Sequence, residues 1–169
     1  MNYTREELVQ SEACMNQLRN AVYHLERFMK LNDVKDIRTR LRRMGKNIAQ
    51  TYIKYWKPID SVNLTNIKDV LATLYKNILN SGVSVELDKL ENSIIVKDNN
   101  CALCKYHFED INEAGCEIII AMMAEIISII NQHTNSTPEF SIEPFEVSES
   151  RSLGNKICIH HYKYNAGGS

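Results

Sequence analysis

Between Thr4 and Met29, Leu8, Val9, Cys14, Met15, Leu18, Val22, Leu25 and Met29 return at three- and four-residue spacing, which is the period of one helix face. Thr4 followed by Glu7 has the form of a capping box. The pattern predicts a long amphipathic first helix with Cys14 in its core stripe. Its two-sided apolar content, with Val22 and Tyr23 adjacent, lets one face meet the core and another a partner chain. Asn32 and Asp33 then read as punctuation and cap. Beyond them Ile37, Leu41, Met44, Ile48, Tyr52 and Tyr55 trace a second stripe that ends before Pro58. Gly45 inside that stripe costs ~1 kcal/mol against alanine, so another backbone is expected to pass close to it.

Lys57 to Asn63 reads as a connector, and Thr65 or Asn66 opens a third helix over Ile67, Val70, Leu71, Leu74, Ile78 and Leu79 that closes at Ser81-Gly82. From Val83 the period changes to two. Val83, Val85 and Leu87 alternate with polar residues, and Ser93-Ile94-Ile95-Val96 is short and β-branched, so the two segments predict a hairpin. A short strand is expected at Lys105 to Phe108. Asn112 to Gln132 is apolar nearly all round, which predicts a buried central helix. Thr134 to Pro138 reads as a loop. Glu139 to Ser148 and Lys156 to Tyr164 read as a last strand pair around Ser152-Leu153-Gly154-Asn155, with Pro144 marking an edge or a bulge. Blocks of helix and of antiparallel strand argue for an α+β fold, with three helices and a buried fourth packed on a sheet of two hairpins.

At 169 residues the chain is most simply one domain, residues 1–165, with Ala166 to Ser169 as a loose tail. Hydrophobic residues make up 44% and charged residues 24%, which is ordinary globular usage. Twenty basic against 21 acidic residues leave a net charge of -1, so no overall field draws the chain to nucleic acid. The run Arg38-Thr39-Arg40-Leu41-Arg42-Arg43 is read as a solvated helix face. Ile118 to Ile130, the longest apolar stretch, is broken by Glu125 and Ser128 and falls short of the about 20 residues that span a bilayer. The start shows no basic, apolar and small-residue leader, and with five cysteines a reducing cytoplasm is the expected setting.

Candidate chemistry gathers in the second half. Cys101 and Cys104 form a Cys-x-x-Cys beside the polar turn Asp98-Asn99-Asn100. Two thiolates three positions apart can grip one soft cation, and Cys116 and Cys158 can complete a tetrahedral set. His160 shares a strand face with Cys158 and is an alternative fourth ligand, whereas His161 points the other way in a regular strand. Against this stands a plainer reading, in which Cys116 and Cys158 are small buried hydrophobes and the Cys-x-x-Cys is a reduced pair. No βαβ context supports a redox role. His24 and His133 fall on helical surface or at a helix end, and the direction of His107 is open. None of the five histidines has a serine or cysteine at nucleophile spacing. Phosphate loops, dinucleotide fingerprints and a metalloprotease histidine pair are absent from the sequence.

The element order, together with Arg43-Met44-Gly45-Lys46-Asn47-Ile48-Ala49 in the second helix, resembles the small TRAPP subunits of the Bet type, where a similar Met-Gly-x-Asn-Ile segment occurs. The C-terminal half is similar to the 4-vinyl-reductase-like domain of prokaryotic hydrocarbon-binding proteins and aromatic-sensing regulators, and the cysteine pattern leans toward a prokaryotic, archaeal relative. The resemblance implies a helical layer on a twisted antiparallel sheet, a homodimer formed through helices and an apolar channel, here assigned to Met44, Gly45, Ile48, Met122 and Met123. The methionines and isoleucines serve equally as plain core. In the tethering subunits a cysteine soon after the second helix can carry an acyl chain; Pro58 to Leu64 contains none, which leaves a noncovalent apolar or fatty-acyl ligand. Some of the sensing domains hold zinc through a cysteine at the head of the central helix, matched by Cys116, and a Gly-Asp-x-x-Cys ending, matched by Gly154 to Cys158. A middle cysteine of that pattern falls near Ser150 and a glutamate near Val147, with Glu146 as the closest carboxylate, so that Cys101 and Cys104 supply the missing thiolates.

The combined expectation is a cytoplasmic, non-catalytic, TRAPP-like binding or scaffold module with a structural zinc. Partners are a second copy, TRAPP-like proteins or an apolar ligand, with a role in vesicle tethering. A hydrocarbon or aromatic sensor is the alternative. An enzyme of the reductase or hydrolase type ranks last, since no acid, base or cofactor set is visible.

Overall fold

The computed structural model describes residues 4–55, 61–134 and 140–166. Helix α1 is Arg5–Leu31, opened by the expected capping box: Thr4 Oγ1 accepts from the Glu7 amide at 3.2 Å while the Glu7 carboxylate accepts from the Thr4 amide at 2.7 Å. Helix α2 is Ile37–Tyr52 and α3 is Ile67–Leu79, closed by Asn80 in the left-handed conformation. Strands β1, Val83–Asp88, and β2, Ser93–Asp98, form the first hairpin. Helix α4, Glu117–Thr134, follows a long irregular segment. Strand β3, Phe140–Glu149, a 3-10 turn at Arg151–Leu153 and strand β4, Cys158–Ala166, complete the chain.

The four strands form one antiparallel sheet in the order β1-β2-β4-β3. Pro144 lies on the edge strand β3, beside a register shift between Pro144 and Glu146, where a missing amide donor is tolerated. Pairing of Ile94 with Tyr162, Val96 with His160 and Asp98 with Cys158 puts these six side chains on one face, and all six are buried. Helix α4 is sandwiched between the sheet and α2, which explains its nearly continuous burial from Glu117 to Ile127. The expected close passage at Gly45 is present: a Cβ there would stand 2.1 Å from the Ile118 carbonyl oxygen of α4.

Several expectations change. Asn32 closes α1, and the N-cap of α2 is Asp36, held at φ 61° with no side-chain cap bond. Lys105 to Phe108 forms no strand, because the segment bends and its backbone bonds outward, Phe108 donating to the Ser152 carbonyl at 2.9 Å. Helix α4 starts at Glu117 rather than Asn112, since the Asn112 and Glu113 amides are taken by the Glu26 carboxylate of α1 at 3.1 and 2.8 Å. Cys14 is exposed, not core, because α1 turns Arg19, Val22, Tyr23, Glu26 and Met29 inward and leaves Leu8, Val9, Leu18 and Leu25 outside. Ala166 ends β4, paired with Phe140, instead of beginning a tail. The arginine run is only partly a solvated face: Arg38 and Arg42 pair with the buried Glu117 at 3.4 and 2.7 Å. Most of the predicted connector at 57–63 and loop at 134–138, and the tail beyond Ala166, lie outside the described residues.

Candidate metal centre

Three separated pieces of chain deliver thiols to one point. The turn after β2 is shaped by Asp98, whose Oδ1 accepts from the Asn100 amide at 2.9 Å and from the Ser81 hydroxyl. It leads into Cys101 and Cys104, whose backbones close a turn of their own at 3.3 Å. Cys116 stands one residue before α4, and Cys158 is the first residue of β4. One ligand atom each from Cys101, Cys116, Cys158 and His160 all lie within 4.8 Å of one another, and all four residues are buried. Cys104 belongs to the same cluster, its thiol interacting with those of Cys101, Cys116 and Cys158 and lying 3.5 Å from the Tyr23 hydroxyl. Of the residues expected to ligate, Cys101, Cys116 and Cys158 meet in the close group with His160, the expected alternative, while Cys104 stands beside it.

The donors fit a single soft cation. Sulfur at about 2.3 Å and nitrogen at about 2.1 Å around a tetrahedral ion stand roughly 3.5–3.8 Å apart, so the group of Cys101, Cys116, Cys158 and His160, within 4.8 Å, would close on one ion with a contraction of about an ångström at most. His160 supplies an independent sign. Its Nδ1 is bonded to the Tyr75 hydroxyl at 2.8 Å, which in turn meets the Tyr162 hydroxyl at 2.7 Å, while Nε2 is buried with no partner. A ligating histidine characteristically has its second nitrogen held in this way, and an orphaned buried nitrogen is costly unless something occupies it.

The electrostatics agree. Bonds from the Cys101, Cys104 and Cys116 thiols pull the Cys158 thiol far down. Burial pushes Cys104 up, but its bonds from Cys101 and Cys116 bring it to about 7. The bond to Cys104 drives Cys101 upward, and burial drives Cys116 upward. The thiols thus titrate as one interacting group, and a divalent ion bound among them would favour the thiolate form throughout. The Arg151 amide also points at the Cys158 sulfur, at 3.4 Å. With every donor buried the arrangement suits a closed structural site rather than one with an open position for substrate.

Ser150, where the resemblance puts a cysteine, does lie at the centre: its hydroxyl is 3.8 Å from both the Cys116 and Cys158 sulfurs and 2.9 Å from the Ser152 hydroxyl. Glu146 is exposed and pairs with His161 across the strands. His161 faces away, bonded to the Ser148 hydroxyl at 2.8 Å, and His24, His107 and His133 are exposed. Sequence reasoning missed the supporting shell of Tyr23, Tyr75, Asp98 and Tyr162, as well as the buried pair Arg42–Glu117. The one readable signal was strand parity, which places Tyr162 on the face of Cys158 and His160.

The residues assigned to a channel are divided. Met44 and Ile48 line an open apolar groove of about 460 Å³ on α2, together with Asn47, Thr51, Tyr52 and Tyr55. Gly45, Met122 and Met123 are buried between α2, α4 and the sheet. Among the described residues no helix is long and apolar enough to cross a membrane.

No protein-family model matches the chain, and no curated protein matches its sequence. Among solved structures it is similar to the crystal structure of a trafficking protein particle complex subunit 3 from Naegleria fowleri covalently bound to palmitic acid, with a TM-score of 0.67 and 15% identity over 91% of this chain and 96% of that one. The likeness establishes the fold as TRAPP-like, a helical layer on a four-stranded antiparallel sheet.

Proposed function

We propose that the protein is a non-catalytic binding and scaffold module of the TRAPP type, folded as one domain over residues 1–165, stapled by a structural zinc and paired with a second copy through its helices. The observation that carries this reading is the buried cluster of four thiols and an unpartnered imidazole nitrogen at the junction of β2, α4 and β4. Zinc is the ion of choice because it accepts a closed thiolate and imidazole shell with no redox demand. The ligands are Cys101, Cys104, Cys116 and Cys158, with His160 as the alternative fourth. Five unpaired cysteines suit a reducing, cytoplasmic setting. Elemental analysis of freshly purified, reduced protein is expected to give about one zinc per chain, and a substoichiometric trace that cannot be raised by loading refutes the metal.

Pairing through helices is supported by the outward face of α1, where Leu18, Leu25 and Phe28 are 45%, 41% and 61% exposed, and by the apolar groove on α2. Acidic Glu6 and Glu7 on α1 and basic Arg40, Arg43 and Lys46 on α2 are also exposed, so an isologous contact joins apolar surface and opposite charge together. Light scattering is expected to return twice the chain mass, and Leu25→Glu with Phe28→Glu is expected to give a monomer with unchanged zinc. A wild-type monomer mass that does not vary with concentration rules the pairing out.

An apolar ligand between α2 and α4 is the second reading, favoured by the groove at Met44 and Ile48. Organic extraction followed by mass spectrometry is its test, and a lipid-free extract from natively purified protein removes it.

A further inference from the structure

We propose that the metal centre is the clasp that holds α1 on the rest of the protein, so that losing the ion releases the first helix as a unit while the sheet and α2–α4 pair stay folded. This rests on the zinc reading above. Along one face of α1 the polar side chains reach an irregular segment, residues 102–113, rather than another helix or a strand. Arg19 Nε donates to the Ala102 carbonyl at 2.7 Å and the Tyr23 hydroxyl to the Leu103 carbonyl at 2.9 Å. Those are the carbonyls of the two residues between the paired cysteines. A turn further on, Glu26 accepts the Asn112 and Glu113 amides, Arg27 forks onto Asp110, and Lys30 reaches the Asp110 carbonyl at 2.9 Å.

The seat of α1 is therefore backbone that has no ladder of its own, and its position depends on how its ends are held. Both ends are candidate ligands, Cys101 and Cys104 on one side and Cys116 on the other. With the ion bound, the carbonyls at 102 and 103 are fixed where Arg19 and Tyr23 need them. Without it, nothing ties the two ends of the segment together, the turn at 102 and 103 is free to move, and the buried Arg19 loses its deepest acceptor while keeping only Glu12 and Asn16, at 3.0 and 2.8 Å. The apolar grip of α1 is narrow: Val22, Tyr23 and Met29 are its buried apolar side chains, and the Tyr23 ring packs on Phe108 of the same irregular segment, whereas Leu18, Leu25 and Phe28 face outward.

The test is amide hydrogen exchange read by mass spectrometry on the full chain under reductant, with zinc quantified in the same samples before and after chelation. Exchange over residues 19–31 is expected to accelerate at least about tenfold on metal removal, while peptides from α4 and β2 keep their protection. Zinc removed with α1 unchanged overturns the clasp, and so does loss of protection everywhere at once. The double variant Arg19→Ala, Tyr23→Phe keeps every thiol and the imidazole; it is expected to retain zinc and to exchange quickly in α1 only. Full α1 protection in that variant also overturns the clasp. A chain that cannot be loaded with zinc at all instead refutes the metal reading, so the two failures are told apart by the metal assay.

Discussion

Cys116→Ser is expected to lose stoichiometric zinc and to melt roughly 6–20 °C below the wild type, whereas Cys14→Ser leaves the melting temperature within about 2 °C. The contrast follows from placement. Cys14 is exposed on α1, where substitutions are worth about ±0.5 kcal/mol. Cys116 is fully buried at the head of α4, and its thiol meets Cys101, Cys104 and Cys158. Apparent binding of a structural zinc supplies roughly 10–16 kcal/mol, and removing one thiolate is expected to cost about 3–5 kcal/mol of that, among the large single-residue losses. For a domain of this length each kcal/mol moves the midpoint by about 2–4 °C. Differential scanning calorimetry in reductant, with metal analysis of the same samples, reads both quantities. A Cys116→Ser protein that keeps its zinc and melts with the wild type contradicts a ligand role for this residue.

Much of the architecture was legible because it rests on periodicity. The capping box at Thr4, the hairpin at Val83 to Val96 and the parity of Cys158, His160 and Tyr162 each follow from a few residues and their spacing, whereas the stripe read for α2 is only partly its buried face, which is Leu41, Gly45 and Ala49, with Ile48 and Tyr55 exposed. What could not be read depends on partners distant in sequence. The α1 stripe is apolar on two sides, so the sequence does not say which side faces in; the answer came from Arg19, Tyr23 and Glu26 finding backbone about 80 residues away. The Glu26 bonds also stop α4 from starting at Asn112, because the amides at its expected head are already engaged, and the bond from the Phe108 amide to the Ser152 carbonyl draws Lys105 to Phe108 away from a ladder. Glu117 is another case. Burial raises its carboxyl above the usual range, and Arg42 and Arg38 offset that. For the candidate metal centre, residue type pointed to the possible donors, and only the fold unites a turn, a helix head and a strand.

Gly45→Ala is the change expected to do the most damage for a single added carbon. On an isolated helix the substitution gains roughly 1 kcal/mol from propensity, so a loss of stability has to come from packing alone. The new Cβ would stand 2.1 Å from the Ile118 carbonyl oxygen and 3.0 Å from both the Ile118 carbonyl carbon and the Met122 nitrogen. Those atoms are backbone of α4, which is itself locked between α2 and the sheet and cannot yield as a side-chain tip would. Relief requires α2 and α4 to part by about an ångström along their most extensive contact. Overpacking of that kind costs typically 1–3 kcal/mol, and more where the obstruction is a rigid helix. The movement also tugs at Arg42, three residues away, whose guanidinium pairs with Glu117 and bonds the Pro144 and Phe145 carbonyls at 3.1 and 3.0 Å. A net loss of about 2 kcal/mol is therefore expected for alanine, and failure to fold for Gly45→Val, which adds two further methyl groups on a stiff branched carbon against the same backbone. Chemical denaturation of the alanine variant settles the sign: a midpoint at or above the wild type means that the two helices do not meet at Gly45 as described.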